Sequence, residues 1–151
     1  MAKKAKDIQY YETVGRRKEA VARVRLYIPG KDKTVTVGTK KLSVGDIIVN
    51  DNPINKVFSS KSEEQHYLSP FTLTNSLGCF VTTIVVKGGG KAGQLEAVVH
   101  GISRGLVLVN EDENRSILKE NNLLKRDSRT RERRMVGTGG KSRRQKQSPK
   151  R

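Results

Sequence analysis

Tryptophan is absent from the 151 residues, cysteine occurs once, histidine twice and proline four times, and each scarcity removes a class of protein. A single Cys79 excludes an internal disulfide. Together with His66 and His100 it falls short of a zinc ligand set at the usual spacings, so no metal is expected. Cys79 stands in an apolar stretch, which points to a packed core thiol in a reduced, intracellular setting. His66 beside Tyr67 reads as a loop residue. The carboxylates are mostly interleaved with cations, the pattern of surface salt pairing rather than of an acid and a base facing each other in a cleft. With no catalytic constellation left, an enzyme is not expected. No run reaches the roughly 18 apolar residues of a membrane span. Met1–Lys6 carries charge without a following apolar segment, so it reads as a short basic arm and not as a secretory signal.

Negative charge is also scarce: 15 Asp and Glu stand against 31 Lys and Arg, a net charge of +16 and a pI near 10.3. Such an excess calls for a polyanionic partner. Nucleic acid fits, because each phosphate neutralised by a cation releases condensed counterions and adds affinity without sequence readout. A membrane surface fits less well, since the basic segments have almost no apolar face to insert. Hydrophobic residues make up 34% of the chain, lean for one domain of this length, so part of it is expected outside the core.

What apolar residues there are fall into patterns. Ala20, Ala22, Val24 and Leu26 alternate with Val21, Arg23, Arg25 and Tyr27, which predicts a strand with one buried face. Tyr10–Val14 reads as the strand before it, with Gly15 and the cations Arg16, Arg17 and Lys18 at the turn. Thr34–Val37 and Phe80–Val86 are further β-rich runs, giving a sheet of about four strands. Leu42–Leu77 reads as short helices and loops. Asp51 or Asn52 would cap a helix starting at Pro53, and Ser69-Pro70 should stop any helix running through Glu63–Leu68. Lys91–Val109 is the strongest helix, with Leu95, Val98, Val99, Ile102, Leu106 and Val109 on one stripe. Gly101 and Gly105, four apart, would admit either a tightly packed sheet or a phosphate.

Gly88-Gly89-Gly90-Lys91-Ala92-Gly93 satisfies G-x-G-x-x-G at a strand-to-helix junction, where amides and a helix N-terminus meet phosphates. A dinucleotide fold needs this loop after its first strand with further βαβ units behind it, and here only a polar, basic remainder follows. Nor is it a Walker loop, because Ala92 occupies the position of the magnesium-holding Ser or Thr. No cofactor and no small-molecule substrate is expected.

After Val109 come an acidic loop and a segment with Ile117, Leu118, Leu123 and Leu124 that could close one side of the core. From Lys125 to Arg151 there are 12 Lys and Arg against Asp127 and Glu132, a net +10, with Met135 and Val136 the only sizeable apolar side chains. Chain ordering costs about 1–2 kcal/mol per residue, so this tail should stay disordered until phosphates organise it. It has no aromatic side chain for base stacking, so its grip should be electrostatic, through arginine forks on phosphates. The organisation read from these segments is a basic arm over 1–8, a globular domain over 9–124 and a basic tail over 125–151.

Three segments carry a resemblance. Gly15-Arg16-Arg17-Lys18-Glu19-Ala20-Val21-Ala22-Arg23-Val24, then Gly88–Gln94 with His100-Gly101-Ile102-Ser103-Arg104-Gly105-Leu106, and then Arg126-Asp127-Ser128-Arg129, Glu132-Arg133-Arg134, Gly137, Lys141–Arg144 and Lys150-Arg151 are similar to the motifs of the small-subunit ribosomal protein nine family, in its bacterial form. The chain departs from the pattern at Leu95-Glu96, where members usually carry a small pair, and at Ser148-Pro149, where they carry Phe-Ser.

The resemblance implies an α+β, two-layer body, with helices on one face of a four-stranded sheet, a left-handed βαβ crossover and an extended basic C-terminal tail. It also implies a structural role in the cytoplasmic ribosome, docked on 16S ribosomal RNA in the head of the small subunit beside neighbouring head proteins. Arg16, Arg17, Lys18 and Arg104 on the body would meet ribosomal RNA. So would Arg126, Arg129, Arg131, Arg133, Arg134, Lys141, Arg143 and Arg144 on the tail. Lys150 and Arg151 would reach the anticodon stem-loop of transfer RNA in the peptidyl site. The handedness of the crossover rests on the resemblance alone, since a right-handed connection is the general rule.

Overall fold

The alternation at Ala20–Tyr27 sets the frame of the fold, a computed structural model that describes residues 3–5, 8–30, 33–38, 40–144 and 148. Strand β1 spans Lys3–Ala5, β2 Ile8–Arg17, β3 Ala20–Tyr27, β4 Thr34–Val37, β5 Lys40–Ser43, β6 Ile47–Val49 and β7 Asn52–Pro53. Helices α1 (Ile54–Val57) and α2 (Lys61–Leu73) lead to β8 (Val81–Lys87), α3 (Lys91–Val109) and α4 (Glu111–Glu120). The fold is α+β. Among the described residues one sheet holds six strands in the order β1-β2-β3-β8-β6-β7, antiparallel except where β6 runs parallel to β8. That parallel pair makes the connection through α1 and α2 a crossover.

Ala20, Ala22, Val24 and Leu26 are all fully buried against α3, whose Leu95, Val98, Val99, Ile102 and Leu106 meet them. Glycines set the distance. A Cβ at Gly101 would lie 2.6 Å from Val24 Cγ2, and one at Gly105 would lie 2.7 Å from Leu26 Cδ1. Gly15 faces them from β2, where a Cβ would fall 1.9 Å from the Ala97 carbonyl oxygen. The two readings left open for Gly101 and Gly105 therefore resolve to close packing of helix on sheet.

The sheet is larger than the four strands expected. Thr34–Val37 leaves it to pair with β5 as a separate hairpin, and β6 arises within the stretch read as helices and loops. Ile47–Val49 is too short to show alternation, which is why the pattern hid it. Val35 and Leu42 of the hairpin pack on Tyr10, Tyr27 and Val81, covering one end of the sheet face that α3 leaves open. Strand β2 also runs three residues past Val14, so Arg16 and Arg17 are strand residues and Lys18-Glu19 form the turn, with Lys18 at φ 49°.

Other expectations fail for local reasons. Helix α2 runs through Pro70 to Leu73, because the Ser69 hydroxyl donates to the His66 carbonyl (2.8 Å), the group that Pro70 has no N–H to satisfy. His66 is thus helical rather than in a loop. Neither Asp51 nor Asn52 caps α1, whose N-cap is Pro53. The acidic loop after Val109 is helix α4. Asn110 caps it by accepting from the Glu113 N–H and donating to its carboxylate (2.8 Å), while Glu111, Asp112 and Glu113 complement the helix dipole. Cys79 is exposed in the turn before β8, outside the apolar alternation that starts at Val81, so it is not a core thiol.

Candidate nucleic-acid interface

The far end of β2 brings the predicted cations together. Beyond its pairing with β1 this strand has an open edge, and α3 closes it with side chains. Thr13 Oγ1 donates to the Gly101 carbonyl (2.7 Å), Arg104 Nη1 to the Val14 carbonyl (2.5 Å), and the Arg16 N–H to His100 Nδ1 (3.3 Å). The last two contacts satisfy backbone groups of the edge that would otherwise invite strand addition, and the first ties the strand to the helix.

Arg17, on the α3 side of β2, is the most enclosed of these cations, with a side chain 11% exposed. Its Nε donates to Glu96 Oε2 (2.5 Å), Nη1 to the Arg129 carbonyl (2.6 Å), and Nη2 lies 3.1 Å from Asp127 Oδ2. Asp127 in turn accepts from the Arg129 backbone N–H (2.9 Å) and guanidinium (2.8 Å). The hydrogen bonds from Arg129 hold the Asp127 carboxyl far below the usual carboxylate range. His100 Nε2 lies 3.3 Å from the Leu124 carbonyl, and burial pushes this imidazole below its ordinary value, with Arg104 and Arg126 acting in the same direction. Around this cluster lies a cavity of about 220 Å³ lined by Arg16, Arg17, Glu96, His100, Lys125, Arg126 and Asp127. The start of the tail is therefore seated on the body.

Beyond Asp127 the described chain carries no helix or strand through Arg144. Arg131, Arg133 and Arg134 are exposed around an open hollow of about 520 Å³ that also touches Gly137, Gly139 and Gly140. There Thr138 Oγ1 donates to the Met135 carbonyl (2.7 Å) across a turn that holds Gly137, the Lys141 N–H donates to the Thr138 carbonyl (3.1 Å) across the next, which holds Gly139 and Gly140, and all three glycines have positive φ. Lys141, Arg143, Arg144, Arg126, Arg16 and Lys18 are exposed. Lys150 and Arg151, expected at the transfer RNA, lie outside the described residues.

Gly88-Gly89-Gly90 meets the β2–β3 turn instead of an open cleft. A Cβ at Gly88 would stand 2.5 Å from the Glu19 carbonyl oxygen, and Gln94 Nε2 donates to the Gly88 carbonyl (3.1 Å). Among the described residues no cluster of three or more His, Cys, Asp or Glu could hold a metal ion, and no helix is long and apolar enough to cross a membrane. Sequence reasoning missed Glu96, His100 and Asp127 as partners of the cations. Glu96 stands one turn before His100 on the same side of α3, but no signal in the sequence set that side against the end of β2.

These features define a basic α+β protein whose surface is dominated by cations rather than by a catalytic group. A family profile described as Ribosomal protein S9/S16 matches residues 15–151. The chain is 43% identical over 136 residues to a "Small ribosomal subunit protein uS9" of Maridesulfovibrio salexigens, covering 90% of this chain and 92% of that protein. It is 40% identical over 128 residues to the protein of the same description from Dehalococcoides mccartyi, covering 85% and 86%. The chain belongs to the ribosomal protein S9/S16 family, a family of ribosomal proteins and not of enzymes.

Proposed function

We propose that this chain is a structural constituent of the small subunit of the cytoplasmic ribosome, where it binds 16S ribosomal RNA in the subunit head beside neighbouring head proteins. In this reading residues 9–124 form the docking body, with its β6-to-β8 crossover left-handed as in the family, and residues 125–151 form an extended tail. Arg126, Arg131, Arg133, Arg134, Lys141, Arg143 and Arg144 hold phosphates along that tail, and Lys150 and Arg151 touch the anticodon stem-loop of the peptidyl-site transfer RNA. Arg16, Lys18 and Arg104 contribute from the body, while Arg17 and Arg129 contribute by fixing where the tail leaves it.

The observation that carries the reading is the cation array from Arg131 to Arg144, without an ion pair among the described residues, exposed along a segment with no core of its own and matched by the family over its length. Binding to a transcript of the 16S head region should weaken steeply with salt. Deleting 126–151 should flatten the log–log slope by about 4–5 if some six tail cations meet phosphates. An unchanged slope would sink the role of the tail. Removing only Lys150 and Arg151 should leave subunit assembly intact and weaken peptidyl-site transfer RNA binding.

A further inference from the structure

The sheet has two faces, and the one turned away from α3 is only half covered. By the register of β2, β3 and β8, its rows are Tyr10, Tyr27 and Val81, then Glu12, Arg25 and Thr83, then Val14, Arg23 and Val85, then Arg16, Val21 and Lys87. The hairpin β4–β5 packs on the first row. In the second, Arg25 pairs with Glu12 (2.8 Å) and lies over the Tyr10 ring, 5.3 Å from its centroid. Among the described residues nothing is packed over the last two rows. They hold three valines, three cations and no carboxylate, with Val21 40% and Val85 39% exposed and Val14 half-buried.

This half-face is not built for solvent. A wet sheet face carries polar residues of both signs. Here Arg23 sits diagonally to both Arg16 and Lys87 on the adjacent strands, about 7–8 Å from each, where like charges repel, and Arg16 and Lys87 flank Val21 in one row, about 10 Å apart. Among the described residues no ion pair or hydrogen bond engages their side chains. β-propensity accounts for the valines but not for the like-charged triangle, which an incoming polyanion would neutralise. Charge complementarity selects the occupant.

We propose that the uncovered half-face Val14, Arg16, Val21, Arg23, Val85 and Lys87 is a second RNA-docking surface, separate from the tail. It takes one backbone strand of an RNA helix, with phosphates on the three cations and ribose faces on the valines. The proposal rests on the ribosomal-RNA reading above. Its polar groups are cations alone, placed to meet phosphates, so the surface reads backbone and not sequence. Arg16 also borders the seat of the tail, whereas Arg23 and Lys87 stand on the face of the sheet turned away from it, so the body would be held from both sides.

The test uses the full chain and a transcript of the 16S head region. Arg16→Gln, Arg23→Gln and Lys87→Gln together should flatten the salt slope by about 2–3, both in the full-length protein and after deletion of 126–151, because the two surfaces act independently. Val21→Thr with Val85→Thr, close in shape, should weaken binding about three- to tenfold without changing the slope. If the folded triple variant binds with unaltered affinity and slope, the surface proposal is overturned while the tail reading stands. If the wild-type chain does not bind the transcript, the ribosomal-RNA reading itself fails. If the triple variant binds RNA normally but loses a head protein from reconstituted subunits, the occupant is a protein and the RNA proposal is overturned.

Discussion

His100 joins three parts of the molecule through one ring. Its Nδ1 accepts the Arg16 N–H, so that nitrogen carries the lone pair, and Nε2 must carry the proton that faces the Leu124 carbonyl. The neutral tautomer thus bridges β2, α3 and the residue directly before the tail. Protonation would set an Nδ1–H against the Arg16 N–H, donor against donor, among the cations Arg16, Arg17, Arg104 and Arg126. Burial lowers the folded value below the ordinary 6.5. The unfolded chain therefore binds the proton first. Stability is fully present above 6.5 and is lost as pH falls through the lowered folded value. Asp127 titrates too far down to contribute in this window. Urea midpoints should fall as pH drops from about 7 to about 5, and His100→Phe should remove that part of the dependence. A ring whose ¹⁵N shifts place the proton on Nδ1, or one titrating at 6.5 or above, would contradict this account.

At the scale of elements, the glycines of α3 decide how closely helix and sheet approach. Gly101→Ala gains about 1 kcal/mol of helix propensity. It also drives a Cβ into Val24, which is fully buried and has nowhere to turn. Overpacking of this kind costs about 1–3 kcal/mol, so after the propensity gain a net loss of up to about 2 kcal/mol is expected by urea unfolding. Combined with Val24→Ala the losses should be clearly less than additive, and simple additivity would mean that the two residues do not share the contact. The same packing explains what was legible in the sequence. Strand β3 and helix α3 declared themselves because each buries one face in full, so period two and period 3.6 appear without interruption. Three-residue β6 has no room for a period, and Pro70 misled because the remedy for its missing N–H is the hydroxyl of the residue before it. The acidic start of α4 was legible in principle from Asn110 and Glu113 at capping-box spacing. Among the site residues, exposed cations could be read from composition. Arg17 could not, because its neutralising partners lie 79 and 110 positions away, at Glu96 and Asp127.

For the molecule as a whole, the question is what fixes the direction in which a tail with no core of its own leaves the body. Arg17 answers it physically. One guanidinium reaches Glu96 on α3, Asp127 and the Arg129 carbonyl, so the start of the tail is tied to the sheet and to the helix at once. A fork with five donors in fixed geometry suits this task, and lysine would not replace it. Two roles for Arg17 then predict different outcomes for Arg17→Gln. As a phosphate ligand it would lower the RNA salt slope by about 1 and leave the free protein unchanged. As the tie of the tail it would leave the slope intact and release the segment around Lys125 and Arg126, raising its rate of tryptic cleavage about tenfold in the free protein while β3 and α3 stay protected. The enclosure of the side chain favours the second outcome. Arg131→Gln, on an exposed cation beyond the seated segment, should behave in the opposite way, with a lower slope and unaltered cleavage. If the two variants exchange these signatures, the tail is not held by Arg17.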